Sequence, residues 1–169
     1  WVESVPWDGV DRLEALAASV STPTTLWPTY LRRWLVQVME GIAGWTVAGA
    51  GERSLPHVLV FAGAQGQGKG RWLRTLGAGY TLADAELHLS GHNAKDHMIA
   101  ALGYPIVELG ELDASMKKSD ISAMKSFFSR STDEIRRPYA ALPPKRDRMT
   151  CFTGTINNFT FLADQTGSR

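Results

Sequence analysis

Gly63, Gly68 and Lys69 stand in the stretch "GAQGQGKGRW" at the spacing G-x-x-x-x-G-K. Glycines at such intervals let successive backbone N–H groups turn inward around phosphate oxygens, and the lysine adds an ammonium at the outer phosphates. This is the spacing of the Walker A loop. On this reading Gly63, Ala64, Gln65, Gly66, Gln67, Gly68, Lys69, Gly70 and Arg71 surround the phosphates of ATP, with Mg2+ as the accompanying ion. Arg71 either adds positive charge there or is a surface arginine on the first turn of a helix. Gly70 takes the place of the Ser or Thr whose hydroxyl ordinarily ligates magnesium. A water in that place, with acidic residues holding the ion through further waters, weakens metal binding without abolishing it. Gly70→Ser is accordingly expected to tighten magnesium dependence and leave the fold alone.

Acids at the end of a strand one sheet position from such a loop would hold magnesium and polarise water. The run "PIVELGELD" offers Glu108, Glu111 and Asp113. Within a continuous strand Glu108 and Glu111 face opposite sides. Glu111, at the expected strand end, is the first candidate for water activator, and Glu108 is the metal-side alternative; a solvent-facing carboxylate is the competing account. Asn157, closing a later apolar run, either bonds the attacking water or outer phosphate or belongs to a simple turn. His88, His92 and His97 are spaced by four and five residues, which matches no standard metal site, so they read as exposed or locally bonded. The lone Cys151 has no partner for a disulfide or a thiolate zinc site and reads as a small core residue in a reducing compartment.

Elements must position these groups. "YLRRWLVQVMEGIA" sets Leu31, Trp34, Leu35, Val38, Met39 and Ile42 on one face of an amphipathic helix, within a first fifty residues that look helical. "HVLVFAG" is a short Val-rich run suited to a strand buried on both faces, and it leads straight into the glycine loop. "KGRWLRTLGAG" continues as a helix stopped by glycines. A helix at "AKDHMIAAL" and a strand over 104–112 follow, suggesting a parallel sheet. A helix near 115–130 carries Ile121, Met124 and Phe128 on one stripe. The last strand, 148–158, alternates until it breaks at Gly154, after a loop-rich stretch holding Pro138, Pro143 and Pro144. The expectation is an α/β fold with a helical lead-in over 1–50 and a core over 51–169.

With 169 residues and 44% hydrophobic content, the chain can bury one core. No apolar run approaches the roughly 18 residues that span a bilayer, so no membrane partner is indicated and a cytoplasmic setting is expected. Residues 117–148 hold nine Lys or Arg against four Asp or Glu, a surplus of five in a chain whose net charge is +1. That stretch either meets phosphates of a nucleotide or nucleic acid or is a solvated basic face. The chain opens on Trp1 and stops at Arg169 inside what reads as a motif, so a longer parent, cut at its C-terminus, is expected.

Five stretches together resemble the virulence-associated protein E (VapE) family of phage and genomic-island proteins, related to superfamily 3 helicases. They are "WDGVDRL", "GAQGQGKG", "VELGELD", "KSFFSRSTDEIRRPYA" and "FTGTINNFTFLADQTGSR". The resemblance implies a P-loop NTPase core of AAA-like, superfamily 3 helicase-like, three-layer type. It implies a Walker A loop at Gly63–Lys69, a Walker B strand ending at Glu108 or Glu111, and a sensor asparagine at Asn157. Arg130, Asp133, Arg136 and Tyr139 match its "SR..D..R.PY" segment, and Asp164 to Arg169 open its "D.TG.RR" segment. Arg130, Arg136 and Arg169 become contacts to phosphates, in the same subunit or a neighbouring one; ion pairs of Arg130 or Arg136 with Asp133 or Glu134 are the plainer account. The implied function is an ATPase module of a DNA replication helicase-like protein in a bacterial host cell, working as a homo-oligomeric ring on DNA, single-stranded in the leading reading. A nucleotide-binding switch with negligible turnover is the alternative suggested by Gly70, and a small-molecule kinase is a third reading.

Overall fold

The structure, a computed structural model, describes residues 6–43, 56–83, 85, 87, 92–110, 112, 118–134 and 145–157, with the backbone alone for 118–122. Two helices lead the chain, α1 (Leu13–Ala18) and α2 (Trp27–Ala43). Asp11 accepts the Leu13 N–H at 2.8 Å where α1 begins, as a short acidic side chain does at a helix start. In α2 the apolar spacing does what it should: Leu31, Trp34 and Val38 are buried, with Leu35 and Ile42 packed at their flanks. Glu40 is buried as well, which the apolar period does not anticipate.

Four strands, β1 (Leu59–Ala62), β2 (Thr81–Leu82), β3 (Ile106–Leu109) and β6 (Cys151–Ile156), form a wholly parallel sheet in the order β1-β6-β3-β2. Between them run α3 (Lys69–Gly77), α4 (Ala94–Ala101) and α5 (Lys118–Phe128), and a small antiparallel hairpin joins β4 (Thr132–Glu134) to β5 (Lys145–Asp147). Strand alternation sends Leu59, Phe61, Ile106 and Cys151 to the face covered by α1, α2 and α3. Val107, Leu109, Phe152 and Ile156 go to the opposite face, against Ala101 of α4 and Met124 and Phe127 of α5. The molecule is thus a mixed α/β fold with helices on both faces of a parallel sheet, and the expected elements around the glycine loop are present.

Three expectations change. The acid-bearing strand β3 is two positions from β1, because β6 lies between them. β6 does not break at Gly154: it runs on to Ile156, and a Cβ at Gly154 would fall inside contact distance of Leu112, so glycine there lets Leu112 pack beside the sheet. The stretch read as loop before β6 contains β4 and β5, whose short, charged sequences give no apolar period to read.

The lead-in helices share a core with the sheet. Trp27, Phe61 and Trp72 form an aromatic triangle with centroids 5.4–6.1 Å apart, and each indole N–H in this region finds an acceptor: Trp27 to Ala17 O at 2.9 Å, Trp34 to Phe152 O at 3.0 Å and Trp72 to Ser19 Oγ at 2.8 Å. Among the described residues no helix is long and apolar enough to cross a membrane.

Candidate functional site

β1 ends at Ala62 and α3 begins at Lys69, so the glycine loop is the turn from one to the other at the C-terminal edge of the sheet. Gly66 and Gly68 sit at φ +83° and +79° with open space where a Cβ would go. Their glycines are therefore required by backbone conformation and not by crowding. Gly68 caps α3 without any side-chain bond to the first helical amides, leaving the start of the helix able to face an anion. Ala64, Gln65, Gly66, Gln67 and Gly68 are exposed, as is Arg71 on the first turn of α3.

Lys69 folds back over the loop. Its ammonium donates to Gly63 O at 2.5 Å, Ala64 O at 2.9 Å and Asn157 Oδ1 at 3.2 Å, which matches the three donors of a lysine. The Gly63 N–H in turn donates to Ile156 O at 3.2 Å. The loop is thus stitched to the end of β6, and the amide of Asn157 stands beside the lysine although 88 residues separate them.

Glu108 is the buried acid of this edge, 1% exposed. It shares the α3-facing side of β3 with Ile106, and Arg74 of α3 approaches its Oε2 at 3.5 Å. Its other oxygen points at Gly70: a Cβ built on Gly70 would come within 3.0 Å of Oε1, closer than real Cβ atoms come, and 3.3 Å from both Glu108 Cδ and Arg74 Nη1. A serine Cβ at position 70 would require the Glu108 carboxylate, the far end of its side chain, to shift. Arg74 is the residue sequence reasoning passed over. Its signal is positional, since residues four apart on a helix share a face and Gly70 is the member of the pair inside the loop.

The donor set suits a hard cation. Glu108 offers an oxygen donor in a cradle that a Cβ would fill, and oxygen donors are what magnesium takes. Among the described residues no three His, Cys, Asp or Glu side chains gather at metal-holding distance. Glu111 lies outside the described residues, as do Asp113, Arg136, Tyr139, His88 and Asp164 to Arg169.

The other predicted arginine is elsewhere. Arg130 stacks 5.7 Å from the centre of the Phe127 ring and, with Glu40, His57 and Arg148, lines a pocket beside Cys151 at the start of β6. Crossing the six residues of β6 takes roughly 15–20 Å, so within one chain Arg130 and the loop are at opposite ends of the sheet. Among the described residues Asp133 is paired with Arg148, at 2.5 Å and nearly buried, and not with Arg130.

The whole chain matches a family model: residues 2–169 fit the virulence-associated protein E-like domain. The chain belongs to that family. Two solved structures resemble this VapE-like domain. They are the apo structure of the NrS-1 C-terminal region (305-718), with TM-score 0.55 and 17% identity over 93% of this chain and 36% of that one, and the A form apo structure of the same region, with TM-score 0.51 and 16% identity over 93% and 35%. At such identity the likeness is one of fold, and the VapE-like domain spans about a third of either structure. No curated protein matches it.

Proposed function

We propose that this VapE-like domain binds ATP with magnesium in the loop Gly63–Gly70 and hydrolyses it, as the motor of a DNA replication helicase-like protein of a phage or mobile element. The observation that carries the reading is Lys69, its ammonium held between the loop carbonyls and Asn157 at the head of α3. In a nucleotide complex those donors exchange carbonyl oxygens for phosphate oxygens without the lysine leaving its place. The amides from Ala64 to Gly70 line the phosphates, Asn157 orients the outer phosphate or the attacking water, and Glu111, two residues past the end of β3, accepts the water's proton. Glu108 or Glu111 would hold magnesium, directly or through water, and the ion would supply positive charge against the phosphates.

In this reading 1–50 is the lead-in and 51–169 the AAA-like, superfamily 3-type P-loop core. Single-stranded DNA meets the basic stretch that includes the exposed Lys145 and Arg146 of β5. Arg130, remote from the loop of its own chain, contacts phosphates only from a neighbour in a ring; Arg136 and Arg169 are assigned the same role. Gly70 favours a second reading, a nucleotide switch with negligible turnover, because the loop lacks the customary hydroxyl.

Phosphate release measured with and without single-stranded DNA separates the two: stimulated release supports the motor, and tight ATP binding without release supports the switch. Lys69→Ala is expected to weaken ATP binding by about tenfold or more, the loss of charge-assisted bonds to phosphate. Unchanged ATP affinity in that variant would end both readings.

A further inference from the structure

We infer that the outer face of α2 and the pocket at its C-terminal end form a path for single-stranded DNA, with Tyr30 as a stacking platform and Arg33 and Arg130 as phosphate contacts. This rests on the DNA reading and deepens it, since it names a surface for the strand at the sheet edge opposite the loop.

The period that buries Leu31, Trp34 and Val38 leaves Tyr30, Arg33 and Gln37 toward the solvent side of α2. Their spacing sets them in one row on the helix, about 10 Å long at the helical rise. Tyr30 is 47% exposed, an aromatic ring that the core does not use. At the far end of the row Gln37 clasps the main chain of His57, accepting from its N–H at 2.6 Å and donating to its carbonyl at 3.2 Å. Gln37, His57 and Arg130 line one pocket with the apolar side chains of Val58, Phe128 and Phe152. The row thus leads from a ring, past a guanidinium, to a partly apolar cleft with a second guanidinium in its wall.

The charge along this row is uncompensated. Arg12, Arg74 and Arg148 are each matched to an acid, whereas Arg33 and Arg130 are exposed and, among the described residues, in no ion pair. Arg130 lies over the Phe127 ring at 5.7 Å, which leaves its N–H groups able to donate elsewhere. The acid of the pocket, Glu40, is buried and has a partner of its own. On the hairpin, by contrast, Lys145 and Arg146 stand across from Glu134 and Asp133. An exposed ring in line with unpaired guanidinium groups suits a chain in which planar bases alternate with anions, because bases of any sequence stack on the ring and phosphates take the arginine fork. A purely anionic partner would use the arginines and make no use of the ring. Arg130, which reaches a nucleotide's phosphates only from a neighbouring chain, reaches strand phosphates from its own.

The test is fluorescence anisotropy of a labelled oligothymidylate, and of an abasic strand of the same length, binding to the chain without ATP across a salt series. Tyr30→Ala is expected to weaken the oligothymidylate by about tenfold, the loss of one stacked base, with the salt slope unchanged and the abasic strand unaffected. Tyr30→Phe keeps the wild-type affinity. Arg33→Gln and Arg130→Gln are each expected to reduce the slope of log affinity against log salt by about 0.7, one phosphate contact on a single strand. Arg32→Gln removes the same charge about 100° round the helix and is expected to leave the slope as it was. All these side chains are exposed, so the variants keep the wild-type melting temperature. A Tyr30→Ala chain that binds like the wild type, or an Arg32→Gln effect as large as that of Arg33→Gln, overturns the path. Should Lys145→Gln and Arg146→Gln weaken binding while the α2 variants do not, the path is overturned and the DNA reading stands. A wild type that binds no oligothymidylate at any salt removes the DNA reading itself, and neither result touches ATP binding at the loop.

Discussion

Two arginine–carboxylate pairs stand at opposite ends of one sheet and are built differently. At the start of β6, Arg148 grips Asp133 with Nη2 at 2.5 Å and Nε at 3.1 Å to each oxygen, donates through Nη1 to Phe127 O, and lies 4.4 Å over the Phe127 ring. At the other end Arg74 meets Glu108 at 3.5 Å, from a side chain nearly half in solvent. The carboxylates are both well shielded; the arginines are not alike. A forked, stacked guanidinium fixes the hairpin β4–β5 to α5 and β6, whereas the Arg74–Glu108 contact is longer and made by an arginine half in solvent.

The sharpest way to break this contrast is to truncate the tight member. Arg148→Ala is expected to cost about 3–5 kcal/mol of unfolding free energy, because Asp133 is left buried without its cation and the Phe127 ring loses its partner. Urea denaturation measures it, and a loss under about 1 kcal/mol would put the two pairs in the same class. Arg74→Gln should cost less, about 1–3 kcal/mol, because the half-exposed arginine is screened by solvent while Glu108 stays buried. A loss matching that of Arg148→Ala in the same denaturation series would erase the distinction from the other side.

A third pair extends the scale downward. Asp8 and Arg12 approach to 2.5 Å in the open, and the Arg12 guanidinium, then the Val10 N–H, lowers the Asp8 carboxyl from 3.8 to about 2. Because the folded value is the lower one, whatever the pair contributes is present in full above pH 3.8 and fades as pH falls through about 2. An NMR titration should find the Asp8 midpoint near 2 with the global fold indifferent to it. A midpoint at the ordinary carboxylate value would mean the turn at Asp8–Arg12 does not hold in solution.

These pairs also mark what could be read from the chain beforehand. Alternating and helical periods announce the elements because burial selects apolar residues at those intervals, so β1, α2, α3, α4 and β3 are visible in the sequence. β4 and β5 are not, since three charged or polar residues are too few to imprint an apolar period. The loop is legible through Gly66 and Gly68, whose positive φ leaves glycine as the natural occupant. The Gly70–Glu108 and Arg74–Glu108 contacts are not, because they depend on which strand lies beside which, and the insertion of β6 between β1 and β3 is decided by side-chain packing far along the chain.

The aromatic triangle has a consequence for how anything seated in the loop would be felt elsewhere. Trp72 lies one turn past Lys69 and is tied to Ser19 by its indole N–H and to Trp27 and Phe61 by its ring. Close-packed rings transmit displacement because they have no slack to absorb it. A tilt of α3 would therefore reach α1 and α2 through the tryptophans, and a change in indole emission would report it.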